Sequence, residues 1–260
     1  MEQLTVIKIG GKVIEDEKSL DAFLTSFAQL EGLKVLVHGG GKIASDFGKR
    51  LGIEPQMIEG RRITDQETID IVTMVYGGLV SKRIVSKLQA KGINAIGLTG
   101  ADANIIPANK RPAETIDFGF VGDIEFEKVN GNTLIQLIEL GLLPVMAPLT
   151  HDQKGHMLNT NADTIAATLA SVLAKKYHVS LIYCFEQPGV LSDFEKKTVI
   201  SEILTTQVEG LKSDGTISEG MIPKIDCATM ALAHGVNRVL IGSFDALVAL
   251  AEGKAGTLIK

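Results

Sequence analysis

The feature that most constrains this chain is an alternation of short β-rich apolar runs, closed by glycine or polar turns, with stretches of helical spacing. Residues 4–9 read as a strand ending at Gly10-Gly11, and Leu20, Phe23, Leu24 and Phe27 then recur along one helix face. Residues 33–37 read as a second buried strand, closed by His38-Gly39-Gly40-Gly41, with a helix over 43–51. Thr64 and Glu67 have the spacing of a capping box for a long helix reaching Lys91, and 94–98 is a further strand. The stretch 101–130, with Pro107, Pro112, Gly119 and Gly122, breaks the pattern and reads as hairpins attached to the first lobe. Helices over 133–140, 161–174 and 221–234 then alternate with strands over 143–147, 179–184 and 238–241. Such an order predicts a largely parallel sheet with helices on both faces. We expect a single domain over 1–260, with an N-terminal lobe of about 1–160 and a C-terminal lobe of about 161–260.

Composition narrows the function class. A net charge of -5 argues against a nucleic-acid footprint, which needs a basic surface. No apolar run approaches the ~18 residues of a membrane span, and the first ten residues lack the basic flank of a signal peptide. Cys184 and Cys227 lie far apart without metal or redox spacing, and the five histidines form no HxxxH-type cluster. We expect a cytoplasmic α/β enzyme with buried free thiols and no protein-bound metal.

Two strands ending in glycine turns point to an anion. Glycine lets backbone N–H groups approach a phosphate or carboxylate, and ligands of open α/β sheets bind at the carboxyl ends of strands. No segment supplies the Walker pattern G-x-x-x-x-G-K-[ST]. Gly39-x-Gly41-x-x-Ala44 meets a loose dinucleotide fingerprint, but 54–59, where the ribose-binding acid should end the next strand, is a poor strand. Lys8 lies inside an apolar strand, and Lys224 opens an apolar-faced helix. Each is explained by solvation alone, or by neutralising a phosphoryl group in transit. Asn159, Asn161 and Asp163 precede a helix that needs one cap, so an aspartate there could instead hold two lysines by ion pairing. Arg62, before the next helix, could clamp a carboxylate or be a surface charge.

Taken in order, Lys8-Ile-Gly-Gly11, His38-Gly-Gly-Gly41, Gly60-Arg-Arg-Ile-Thr64, Asn159-Thr-Asn-Ala-Asp163 and Gly220-Met-Ile-Pro-Lys224 resemble the amino acid kinase family over essentially the whole chain. The order and spacing are most similar to the branch acting on N-acetylglutamate. The resemblance implies a three-layer αβα sandwich that phosphorylates the side-chain carboxylate of N-acetyl-L-glutamate with ATP and Mg2+, the metal carried by the nucleotide, in arginine biosynthesis. It implies that Gly40, Gly41, Arg62 and Asn159 bind the acceptor, Arg62 through its α-carboxylate. Lys8 and Lys224 would stabilise the transferring phosphoryl group, Asp163 would orient both, and Gly10 and Gly11 would donate N–H groups to it. Many members carry an Asp-x-x-Gly turn at the nucleotide. Here Phe185-Glu186-Gln187-Pro188-Gly189 keeps the glycine while the aspartate position is apolar or shifted, so Gly189, Lys212, Ser213 and Asp214 are the nucleotide neighbours expected.

The chain begins almost at its first strand, without the extra N-terminal helix of arginine-inhibited relatives, so an arginine-insensitive homodimer is expected. The helix with Ile69, Val72, Val75 and Tyr76 is either its dimer surface or ordinary core. N-succinylglutamate is an alternative acceptor, followed by other small-molecule kinases of the same fold, a non-catalytic nucleotide or amino-acid sensor and, most distantly, a dehydrogenase.

Overall fold

The computed structural model describes residues 1–58, 61–113, 115–193, 195–217 and 220–260. Two compact units divide the chain: Met1–Leu36 with Asp163–Lys260, and Val37–Ala162 between them. The expected N-terminal lobe of 1–160 differs from this division. The first 36 residues group with the C-terminal stretch, because the first strand pairs with a strand near residue 180.

The chain opens with β1 (Gln3–Ile9), the single turn α1 (Lys12–Glu15), α2 (Glu17–Gln29) and β2 (Leu33–His38). Helix α2 begins where Asp16 accepts the Ser19 N–H at 2.7 Å, and it buries Leu20, Phe23, Leu24 and Phe27 as their spacing predicts.

The second unit then runs through α3 (Gly41–Arg50), β3 (Met57–Ile58), β4 (Arg61–Arg62) and a long helix. That helix has three parts: α4 (Gln66–Val72), a π-helical stretch (Thr73–Val80) and α5 (Ser81–Ala90). Its cap is Asp65, which accepts the Thr68 N–H at 2.8 Å, so the start lies one residue beyond the expected Thr64 box. Thr64 is buried, and its hydroxyl serves the site described below. Ile69, Val72, Val75 and Tyr76 are at most 4% exposed, so they are core side chains and not an outer face. The unit continues with β5 (Ala95–Leu98), β6 (Ala108–Lys110), β7 (Gly122–Ile124), α6 (Gly131–Glu139), β8 (Leu143–Met146), β9 (Leu149–His151) and β10 (Met157–Asn159). β5 and β8 are parallel, while β3–β4, β6–β7 and β9–β10 are antiparallel pairs.

The return to the first unit brings α7 (Ala162–Leu173), β11 (His178–Phe185), β12 (Leu191–Asp193), β13 (Thr198–Val199) and β14 (Glu202–Ile203). It ends with α8 (Val208–Ser213), α9 (Ile222–Ala233), β15 (Arg238–Ser243), α10 (Leu247–Ala251) and β16 (Thr257–Ile259). Within this unit the strand order is β14-β16-β15-β11-β1-β2. β1–β11, β11–β15 and β14–β16 are parallel, and β15–β16 is antiparallel. Helices α9 and α10 pack on β15, and α10 also meets α2. This is the mostly parallel α/β architecture that the alternation predicts. Val179 and Leu181 to Tyr183 are inaccessible to solvent, as strands covered on both faces must be, and each such aliphatic side chain contributes about 1.5–3 kcal/mol by leaving water.

Candidate active site

β1 is an interior strand, lying between β11 and β2, so Lys8 is not a solvated edge residue. Only 9% of it is exposed. An ammonium so placed needs a counterion, and Asp163 in the first turn of α7 supplies one. Asp163 Oδ1 lies 2.8 Å from Lys8 Nζ, and its Oδ2 lies 3.0 Å from Lys224 Nζ in the first turn of α9. Burial pushes the Asp163 carboxyl up, but Lys8 and Lys224 together outweigh it and hold the group below the usual carboxylate range. Its place at a helix start adds favourable dipole energy. The Tyr183 hydroxyl donates to the Asp163 backbone carbonyl at 3.1 Å, pinning the start of α7 to β11. Three residues distant in sequence thus form one triad with two positive charges sharing a single negative one.

The turn after β1 is shaped around these groups. A Cβ on Gly10 would stand 2.9 Å from Lys8 Nζ, so a side chain there would have to displace the ammonium. Gly11, at φ +55° and ψ -136°, has a backbone open to glycine. A Cβ there would also stand 2.6 Å from Glu186 Oε1, and that same oxygen accepts the Lys12 N–H at 3.0 Å.

Glu186 corrects the sequence reading of the nucleotide turn. The acidic position is neither apolar nor shifted: Glu186-Gln187-Pro188-Gly189 keeps the Asp-x-x-Gly spacing with glutamate in place of aspartate. The three-residue interval to Gly189 was the signal available. Gly189 itself is demanded by packing, since a Cβ would stand 2.6 Å from Val199 Cγ1 and 2.8 Å from Thr257 Oγ1. Lys212 is held by Glu209 at 2.8 Å and by Asp226 of α9 at 2.6 Å. The Ser213 hydroxyl donates to the Glu209 carbonyl, and Asp214 accepts the Thr216 N–H. Lys212 is thereby tied to the helix that carries Lys224, while Ser213 and Asp214 are engaged in their own turn.

The second unit carries the other predicted set. His38, fully buried at the end of β2, has its pKa lowered to about 4 by that burial. The neutral ring donates from Nδ1 to the Gly39 carbonyl at 2.7 Å. Gly40, at φ +150°, has a backbone that L side chains rarely adopt, and a Cβ would stand a tight 3.0 Å from the Tyr76 ring. Arg62 Nη2 donates to the Gly41 carbonyl at 2.8 Å and to Ser45 Oγ at 2.7 Å. Asn159 Nδ2 donates to Thr64 Oγ1 at 3.1 Å, and Thr64 Oγ1 donates to the Arg62 carbonyl at 3.2 Å. Arg62, Asn159 and the glycine turn, read separately from sequence, are therefore joined, Asn159 to Arg62 through Thr64 and Arg62 to the glycine turn directly. Gly60, which opens the Arg61-Arg62 motif, and Glu219, beside Gly220, lie outside the described residues.

Each set can bind an anion, the first between two ammonium groups and the second between a guanidinium, an amide and a glycine turn. A sequence model of the amino acid kinase family matches residues 3–243. The acetylglutamate kinase of Cytophaga hutchinsonii is 55% identical over 252 residues, covering 96% of this chain and 95% of that one. That of Phocaeicola vulgatus is 53% identical over 260 residues, covering 100% and 99%. That of Methanopyrus kandleri is 37% identical over 262 residues, covering 99% and 100%. Among solved structures, smu.665 from Streptococcus mutans superposes with a TM-score of 0.82 at 29% identity over 99% of this chain and 98% of that one. The carbamate kinase of Giardia lamblia bound to AMP-PNP, at TM-score 0.69 and 14% identity over 99% and 98%, has the same fold.

Proposed function

This chain belongs to the amino acid kinase family, and we propose that it transfers the γ-phosphoryl group of MgATP to the side-chain carboxylate of N-acetyl-L-glutamate, a step of arginine biosynthesis. The observation that carries the reading is the buried Lys8–Asp163–Lys224 triad. The relatives' names supply the acceptor.

An acceptor carboxylate is ionised at neutral pH, so no general base is required. A carboxylate oxygen forms the new bond to the γ-phosphorus while the bond to the β–γ bridging oxygen breaks, and ADP leaves with that electron pair. The barrier lies in bringing like charges together and in spreading charge over the equatorial oxygens, which positioned cations lower. In this reading Lys8 and Lys224 carry that charge, Asp163 fixes both ammonium groups without touching substrate, and Gly10 and Gly11 offer N–H donors. Arg62, Asn159, Gly40 and Gly41 receive the acceptor, and Gly189, Lys212, Ser213 and Asp214 lie by the nucleotide. A cytoplasmic homodimer completes it. The free thiols and the absence, among the described residues, of any helix long and apolar enough to cross a membrane suit that setting. The exposed Met74 and Leu79 offer apolar surface for a second copy.

ADP release measured with N-acetylglutamate, N-succinylglutamate, glutamate and aspartate tests the acceptor. Turnover with N-acetylglutamate is expected, and none with either acyl-glutamate would overturn the reading. Lys8→Ala should lower kcat by about 10²–10³-fold with the fold intact, and near-normal turnover would remove its role.

A further inference from the structure

The helix from Gln66 to Ala90 is π-helical over Thr73–Val80. Such hydrogen bonding is rare, usually confined to one widened turn, and concentrated at functional sites. One residue added to a helical turn rotates everything after it by about 100° around the axis, so the facing of this segment depends on the widening. The segment buries Val75, Tyr76 and Val80, and of these Tyr76, 4% exposed, is the one with a polar group.

Tyr76 touches both parts of the acceptor set. Its ring lies against Gly40, where a Cβ would stand 3.0 Å from Cδ1 and 3.1 Å from Cε1. Its hydroxyl lies beside Arg62: a Cβ on Gly41 would stand 3.9 Å from Tyr76 Oη and 3.9 Å from Arg62 Nη2 alike. Burial raises the phenol's pKa, with Arg62 opposing, so the group is neutral at physiological pH and free to accept from a guanidinium N–H.

The arrangement of Arg62 makes that proximity consequential. Both Nη2 hydrogens are committed, to the Gly41 carbonyl and to Ser45 Oγ. A bidentate grip on a carboxylate uses an Nη2 hydrogen in either its side-on or its end-on geometry. Binding an α-carboxylate must therefore draw Arg62 off one of these partners, and the guanidinium plane then needs another anchor.

We propose that Tyr76 is a positioning residue for acceptor recognition: from the π-helical segment its hydroxyl anchors Arg62 and its ring seats Gly40, so that arginine and glycine turn meet the acceptor carboxylate already oriented. The inference rests on the acyl-glutamate reading for the identity of that carboxylate, but not for the geometry.

Tyr76→Phe keeps the ring and deletes the anchor. The KM for N-acetylglutamate should rise about tenfold, the loss of a hydrogen bond to a charged group, with kcat and the KM for ATP within about twofold. Hydrogen exchange of the Arg62 guanidinium, followed by NMR in the ligand-free protein and assigned by its absence in Arg62→Lys, should quicken about fivefold or more. If Tyr76→Phe lowers the melting temperature while exchange and acceptor KM stay unchanged, Tyr76 is packing alone and the inference fails. Equal increases in both KM values would also overturn it. If the wild type turns over no acyl-glutamate, the function reading fails, and the Arg62 exchange still decides whether Tyr76 anchors the guanidinium.

Discussion

Replacing Asp163 with asparagine preserves the side chain's size and removes the charge that two lysines share. Oδ1 stands 2.8 Å from one ammonium and Oδ2 stands 3.0 Å from the other, with side-chain exposures of 6% for Asp163, 11% for Lys8 and 19% for Lys224. At about 3 Å and an effective dielectric near 20, each gross attraction is about 5–6 kcal/mol. Most of that is offset by desolvation, and deleting one partner of a buried pair costs about 3–5 kcal/mol. Both lysines keep some solvent access, which places the expected loss near the lower end, about 3 kcal/mol. For a chain of this size that is a fall in melting temperature of roughly 6–12 °C.

Thermal unfolding at pH 7 measures this directly, and the difference should persist in about 0.5 M salt, because buried pairs are weakly screened. The pH dependence has a definite sign. The Asp163 carboxyl is depressed in the folded state, since the two lysines outweigh the burial that pushes it up. Its contribution is therefore complete above the unfolded value near 4 and is lost as pH falls through the lower folded value. The gap between wild type and Asp163→Asn should be full from about pH 6 to 8 and should shrink below about pH 4. A melting temperature within about 2 °C of wild type at pH 7, or a gap unchanged under acid, would refute the shared-charge account.

Other outcomes are as specific. Arg62→Lys loses the planar fork and should weaken N-acetylglutamate binding about 30-fold by calorimetry, and equal affinity would exclude the carboxylate clamp. Gly119 has φ +72°, and a Cβ there would fall on the Thr64 carbonyl, so Gly119→Ala should cost about 2–4 kcal/mol in urea unfolding, whereas a loss under about 0.5 kcal/mol would contradict the packing. Cys184 is 1% exposed, with burial pushing its thiol up to about 12. A thiol reagent at about pH 8 should modify it only on unfolding, and rapid labelling of the native protein would count against that burial.

The sequence reading succeeds where period and side chain agree. The long strands and amphipathic helices lie within a residue or two of their expected bounds, because a helix such as α2 buries one stripe and a strand such as β11 buries both faces. Lys8, Asp163 and Lys224 were legible singly as polar residues at element ends. Their convergence is set by the pairing of β1 with β11, which no local pattern encodes. The two- and three-residue strands β3, β4, β9 and β10 escape periodicity because they are too short to show one. The π-helical register escapes it because apolar spacing does not distinguish i→i+4 from i→i+5 bonding over eight residues. Ile69, Val72, Val75 and Tyr76 show the same limit: their spacing identifies an apolar stripe, and burial alone decides that it faces inward.

The interrupted first unit also orders events in time. Its β1 is made before the intervening unit, and β11, α7 and α9 follow only after the whole of Val37–Ala162 has been made. At about 5–20 residues per second, Lys8 waits roughly 8–30 s for the carboxylate that will neutralise it. During that interval an apolar strand with a lysine in it has no parallel neighbour on its β11 side, while the intervening unit is contiguous and can fold as it emerges. Loop-closure entropy grows only logarithmically with length, so the long separation costs the finished protein little. Its burden is kinetic. A newly made chain holds one member of the Lys8–Asp163–Lys224 triad, and an unpaired strand edge, until the stretch from Asp163 onward arrives.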